Sequence, residues 1–263
     1  GVSQSAVSRV FTPGASASKG TSERVRKAAN DLGYRPNVLA RAMVSGKSRM
    51  IGLVVAYLDN LFYPNALEKL SNQLKEKGYH VLIFMASQTA GNIDEVLHEI
   101  MGYQVDGIVL ASVAMSSDLA SKCQKAGIPV VLFNRSQDDD RLSSVGSNNV
   151  SGGRKIADFL ISGGHKKIAH IAGWEGASTQ RDRETGFISG LHSAGMELFT
   201  REVGNFQIEQ AREAARIMFK NNDNPDAVFV ANDHMAIGVM DVLRIELGLR
   251  IPNDVSVIGY DDV

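Results

Sequence analysis

From residue 51 onward, short β-branched runs alternate with segments of helical periodicity, and this alternation constrains the fold more than any other feature of the chain. In the first half, the runs Ile51–Tyr57, His80–Phe84, Gly107–Leu110 and Val130–Phe133 are separated by the amphipathic segments Ala66–Lys77, Ile93–Met101 and Leu119–Ala126. In the second half, Ile168–Ala172, Ala227–Val230 and Val255–Ile258 read as strands. Gly152–Ser162, Arg183–Ala194, Ile208–Lys220 and Met235–Leu247 read as helices. Several helical segments end in glycine and run straight into a strand, as at Gly78, Gly127, Gly163-Gly164 and Gly248. That punctuation supplies the left-handed residue that closes a helix before the next strand. Near-continuous apolar strands predict parallel sheets buried on both faces. With about 100 residues in each set, the pattern predicts two doubly wound α/β lobes in place of a single barrel.

The first 49 residues have a different character. They hold nine basic residues against two acidic ones (Glu23 and Asp31), a net of +7, which leaves −8 for the rest of a chain whose total is −1. A basic head on an acidic body points to a polyanionic partner for the head. A solvated basic surface is the plainer alternative. Val2, Ala6, Val7 and Val10 place an apolar stripe on a short helix that Ser3 can cap. A second helix is predicted after Ser18, with Val25, Ala28, Ala29 and Leu32 on one face and Gly33 just past its end. Pro36 opens a third amphipathic segment, Asn37–Val44, that stops at Ser45-Gly46.

In doubly wound sheets ligands bind beyond the carboxyl ends of the strands. The polar residues there are Asp59-Asn60, Asn134-Arg135, Trp174-Glu175, Asn232-Asp233 and Asp261-Asp262, with Arg181, Arg183, Phe62, Tyr63 and Phe206 close in sequence to such ends. Carboxylates and arginine bind hydroxyls in pairs while aromatics cover an apolar ring face, so the set suits a polyhydroxylated or polar ring. Catalytic signatures are missing: there is no GxxxxGK[ST], no GxGxxG after the first strand, no GxSxG and no HExxH. The six histidines lack metal-ligand spacing, and a lone cysteine, Cys123, excludes a disulfide framework and favours a reducing compartment. No apolar run approaches the roughly 18 residues needed to span a bilayer. The expectation is a non-enzymatic, cytoplasmic protein without cofactor or metal.

Three motifs carry a family resemblance. Gly1-Val-Ser-Gln-Ser-Ala-Val-Ser-Arg-Val10 resembles the turn and recognition helix of the lactose/galactose/purine repressor (LacI/GalR) family of bacterial transcription regulators. Arg24-Val-Arg-Lys-Ala-Ala-Asn-Asp-Leu-Gly-Tyr-Arg-Pro-Asn37 resembles its third helix and the entry to its hinge. Ala40-Arg41-Ala42-Met43 resembles the hinge helix, and the likeness continues to Val-Ile-Gly-Tyr-Asp-Asp262. The resemblance implies two periplasmic-binding-protein-like lobes (type I) behind a helix-turn-helix head. It divides the chain into a partial head at 1–35, a hinge at 36–48, an N-terminal lobe at 49–148 and an incomplete C-terminal lobe at 149–263. Against the family pattern, the chain is expected to be a fragment lacking the first helix and the C-terminal segment.

The same resemblance implies operator DNA, a small sugar-like effector and a second copy of the chain as partners. Gln4, Ser5 and Arg9 match positions that read the major groove, chemistry that suits adenine, guanine or a phosphate. Met43 stands where the family has a leucine wedge in the minor groove, a place an unbranched thioether can fill; a packing role is the alternative. Phe62, Tyr63, Asn134, Arg183, Phe206, Asn232 and Asp261 match effector-binding positions. For Arg183 the competing role is a salt bridge to Asp182 or Glu184, and Asp233 is set aside as a helix cap.

Overall fold

A computed structural model describes the whole chain except residues 13, 36–45, 57, 87–92, 114, 138, 140 and 222. The chain divides into two compact units, Gly1–Arg49 and Met50–Val263.

In the first unit, α1 (Gln4–Phe11) starts where the Ser3 hydroxyl accepts from the Ala6 amide, and α2 (Lys19–Asp31) where Ser18 accepts from Thr21. Each serine satisfies one amide that the first helical turn leaves without a partner. Val10, Val25 and Ala29 are buried between the two helices, and Phe11 meets Tyr34 with ring centroids 6.0 Å apart. Of the four positions expected to form the apolar face of α2, only Val25 and Ala29 are buried; Ala28 is exposed and Leu32 is 82% exposed. The expected helix at Asn37–Val44, and Met43 within it, lie outside the described residues.

The second unit contains two parallel sheets. The first has the order β2-β1-β3-β4-β5, built from β1 (Met50–Val55), β2 (His80–Met85), β3 (Gly107–Ala111), β4 (Val130–Phe133) and β5 (Ser143–Val145). Its helices are α3 (Phe62–Glu76), α4 (Ile93–Gly102) and α5 (Ser117–Lys125). The second sheet has the order β7-β6-β8-β9, from β6 (Ile168–Ala172), β7 (Thr200–Val203), β8 (Ala227–Val230) and β9 (Ser256–Ile258). With it go α6 (Asn149–Ser162), α7 (Ser178–Ser193), α8 (Ile208–Met218) and α9 (Asp233–Asp241), the last running on as a π-helical turn over Val242–Glu246. Every strand pair is parallel, and the inner strands β6 and β8 are buried throughout. Burial on both faces explains why these strands read as unbroken apolar runs. Gly78, Gly127, Gly164 and Gly248 all take positive φ, as the punctuation of the sequence predicts.

Two strands escape the apolar pattern. β5 is Ser-Ser-Val with all three residues exposed, and β7 is Thr-Arg-Glu-Val with all four half-buried. Each occupies a sheet edge, where the backbone ladder and not side-chain burial defines the strand. Elsewhere the packing is tightest between α6 and α7. A Cβ on Gly153 would lie 1.9 Å from the Arg183 carbonyl oxygen, and one on Gly186 would lie 1.9 Å from that of Val150.

Candidate effector cleft and its surroundings

The carboxyl ends of the two sheets border an open cleft of about 510 Å³ whose walls include Phe62, Asn134, Arg183, Asp233, Tyr260 and Asp261. Arg183 anchors it from α7. Its Nε donates to Asn149 Oδ1 at 3.0 Å, Nη1 to the Ala231 carbonyl at 2.5 Å and Nη2 to Asp261 Oδ1 at 3.0 Å. The guanidinium also lies 3.8 Å from the Tyr260 ring centroid. With side chains 5% and 8% exposed, Arg183 and Asp261 form a buried ion pair. The alternative partners are occupied elsewhere: Asp182 pairs with Arg181 and Glu184 with Arg201.

Asp261 follows β9 with φ at 110°. Its second oxygen accepts from Asn60 Nδ2 at 3.3 Å, so one carboxylate links the ends of both sheets. Asn60 is itself held, because its Oδ1 accepts from the Phe62 amide at the start of α3. Burial raises the Asp261 carboxyl above its ordinary value, and the neighbouring Asp233 charge pushes the same way, while Arg183 and Asn60 pull it down. Arg135 makes a second tie between the two sheets' surroundings, donating to the Asn134 carbonyl at 2.9 Å and to Thr179 Oγ1 at 2.8 Å. Beside it, the Ser136 amide donates to Ser178 Oγ.

Of the residues expected to contact an effector, Phe62, Asn134, Arg183 and Asp261 meet at this cavity. The other three have different surroundings. Tyr63 is 1% exposed; its hydroxyl contacts Ser112 and accepts from Asn134 Nδ2, so it holds Asn134 from beneath. Asn232 caps α9, its Oδ1 accepting from the Met235 amide at 2.9 Å, and is 1% exposed. Phe206 is buried with its ring against Gly173, where a Cβ would come within 2.2 Å of it. Asp233, set aside as a cap, instead lines the cavity, because Asn232 already performs the capping. Asn149 and Tyr260 were not singled out by their types, although Tyr260 stands beside Asp261 in the Gly-Tyr-Asp-Asp run. On α1, Gln4, Ser5 and Arg9 are exposed while Val10 is buried, and Arg9 Nε donates back to the Ser5 carbonyl.

A polar chain runs from the second sheet's core to the loop after β6. His170, wholly buried in β6, stacks on Phe229 at 4.7 Å. Its Nδ1 lies 3.0 Å from the Phe229 carbonyl, which can only accept, so Nδ1 carries the proton and Nε2 accepts from Gln180. Gln180 in turn accepts from the Gly173 amide and donates to Glu184, which forks onto Arg201. Burial drives the His170 imidazole down to about 4. The unfolded imidazole takes a proton near pH 6.5 whereas the native one does not, so the unfolded state binds more protons and stability falls as pH drops from 6.5 toward 4. This group alone should remove about 3 kcal/mol over that window. The expected result is an NMR titration in which the His170 ring stays neutral well below pH 6; titration near 6.5 would contradict the buried network.

Two parallel sheets wound alike around one polar cleft, together with a basic helical unit, define an effector-binding regulator. The family models agree. Residues 1–37 match "Bacterial regulatory proteins, lacI family", and residues 48–263 match "Periplasmic binding proteins and sugar binding domain of LacI family". The chain belongs to the lacI family. It is 31% identical to the HTH-type transcriptional repressor PurR of Vibrio vulnificus (strain CMCP6) and 33% identical to the HTH-type transcriptional regulator CelR of Thermobifida fusca, covering 100% of this chain and 79% of each relative. Among solved structures, the lac repressor dimer bound to operator and the anti-inducer ONPF matches at TM-score 0.89 and 26% identity, over 100% of this chain and 79% of that one. A CelR–cellobiose complex matches at TM-score 0.73 and 30% identity, over 99% and 80%. No helix among the described residues is long and apolar enough to cross a membrane.

Proposed function

We propose that this chain is a transcriptional repressor that binds operator DNA as a homodimer in the cytoplasm and is controlled by a sugar-like effector in the cleft. The observation that carries the effector reading is the buried Arg183–Asp261 pair, linked to Asn60 from the other sheet. A ligand entering between these ends has to interact with groups on both sheets. Effector binding and sheet-to-sheet geometry are therefore coupled, and by linkage so are effector and DNA affinity. The aromatic, amide and carboxylate groups at the cleft suit a hydroxylated ring. A solved relative that holds cellobiose supports the same class.

In this reading residues 1–35 form the DNA-binding head, 36–48 the hinge, and 49–148 and 149–263 the two lobes. Gln4, Ser5 and Arg9 read the major groove, and Met43 enters the minor groove. The cleft binds without catalysis: its guanidinium and carboxylate neutralise one another, which serves recognition of hydroxyls.

The test is selection of binding sites from a pool of randomised duplexes, followed by gel shifts with and without candidate sugars. Enrichment of a two-fold-related site is expected, since two protomers related by a dyad present paired reading helices. Failure to enrich any sequence would refute the reading. Affinity for the selected duplex should fall steeply between 50 and 200 mM salt, by roughly tenfold for every two phosphates neutralised. Arg9→Ala should cost about 1–3 kcal/mol on the selected site if it makes a bidentate base contact. An equal loss on unrelated DNA would make Arg9 a phosphate contact instead.

A further inference from the structure

The effector cleft carries more negative than positive charge on its walls. Arg183 faces Asp233, Asp261 and Asp262 around the same cavity. Three of the guanidinium's five N–H bonds are already directed to Asn149, Ala231 and Asp261, and Tyr260 covers one of its faces. The position of Asp233 at the start of α9 would ordinarily be explained as capping. Asn232 performs that task, and the Asp233 carboxylate turns toward Gly259 and accepts from the Val263 amide. A helix N-terminus attracts anions, but at α9 a carboxylate of the chain itself takes that place. Asp233 and Asp261 are also close enough to repel, since the Asp233 charge helps to raise the Asp261 carboxyl.

Resting on the effector reading above, we infer that Asp233, seconded by Asp262, selects an uncharged, hydroxyl-rich effector and rejects sugar acids and phosphorylated sugars. A hydroxyl arriving at these carboxylates donates a hydrogen bond and adds no charge. A carboxylate or phosphate arriving at the same place has no proton to give and meets like charge at the half-buried Asp233 and the exposed Asp262. Rejection by unpaired or repelling groups is as effective a source of specificity as attraction.

The experiment is calorimetry of the full chain against matched series: glucose, glucuronate and glucose 6-phosphate; galactose, galacturonate and galactose 6-phosphate; cellobiose and cellobionate. At least one neutral sugar should bind, and its acidic counterparts should bind tenfold or more weakly. Asp233→Asn keeps an oxygen for the Val263 amide while removing the charge, and should narrow that gap at least threefold. An acid that binds as tightly as its neutral parent overturns the inference, as does an unchanged ratio in Asp233→Asn or silence of every neutral sugar. An acid that binds and alters operator affinity would overturn only this inference and leave the regulator reading standing; loss of operator binding altogether would strike that reading instead.

Discussion

Replacing Gly186 or Gly153 by alanine should destabilise the protein by about 3 kcal/mol, at the upper end of the range for overpacked interiors. Alanine is intrinsically the better helix residue by about 1 kcal/mol, so on an exposed helix the sign would be reversed. Here the added methyl would stand 1.9 Å from a backbone oxygen of the facing helix, and a backbone carbonyl cannot rotate aside as a side chain can. Either α6 and α7 separate, opening voids beside Ala157, Phe187 and Leu191, or the helices bend. Gly153 faces the carbonyl of Arg183 itself, so Gly153→Ala should also displace the cleft arginine and weaken effector binding. Urea denaturation checks the first effect. A variant as stable as the parent would show that the helices stand farther apart than described.

Breaking the buried ion pair from one side should be as damaging. Arg183→Met leaves the Asp261 carboxylate buried without its cation, a situation that costs about 3–5 kcal/mol. The double variant Arg183→Met/Asp261→Leu removes both charges and should recover most of that loss, since apolar replacement of a buried pair is often neutral or stabilising. Effector affinity should stay low in the double variant, which separates the binding role of the pair from its structural one. The pH dependence gives an independent sign. Without Arg183, the burial that already raises the Asp261 carboxyl acts with less opposition. The native state of Arg183→Met then holds a proton that the unfolded state has released, so its stability should fall as pH rises through the raised value. A deficit that stays constant with pH would mean that Asp261 is solvated in the variant.

The winding of both sheets was legible because parallel strands covered on two faces must be apolar at nearly every position. β6 and β8 satisfy that requirement. β5 and β7 were invisible to the same reasoning, being edge strands in which no residue is buried. At the cleft, position relative to strand ends brought forward Phe62, Asn134, Arg183 and Asp261, and these four line one cavity. What strand ends cannot tell is which of two adjacent polar residues turns inward. Asn232 and Asp233 both qualify as helix caps by type, and only the path of the backbone decides that Asn232 caps while Asp233 lines the cleft. For Phe62 and Tyr63 the first ring borders the cavity, and the second is drawn beneath it by Ser112 and Asn134. The His170–Gln180 contact joins a strand to a helix ten residues on, and no local pattern announces it.

Among the described residues, the strands of the first sheet come from residues 50–145 and those of the second from residues 168–258. During synthesis at about 5–20 residues per second, these five strands of the first sheet are made several seconds before β9 of the second. The first sheet can therefore pair its strands and bury its apolar faces while the rest is still being made. Asn60 waits in that interval without Asp261, and Arg135 without Thr179. These ties across the cleft thus form only after both sets of strands have been made. A nascent chain stalled before Ala227, with Val145 already clear of the ribosome, should show protease-resistant structure up to about residue 145.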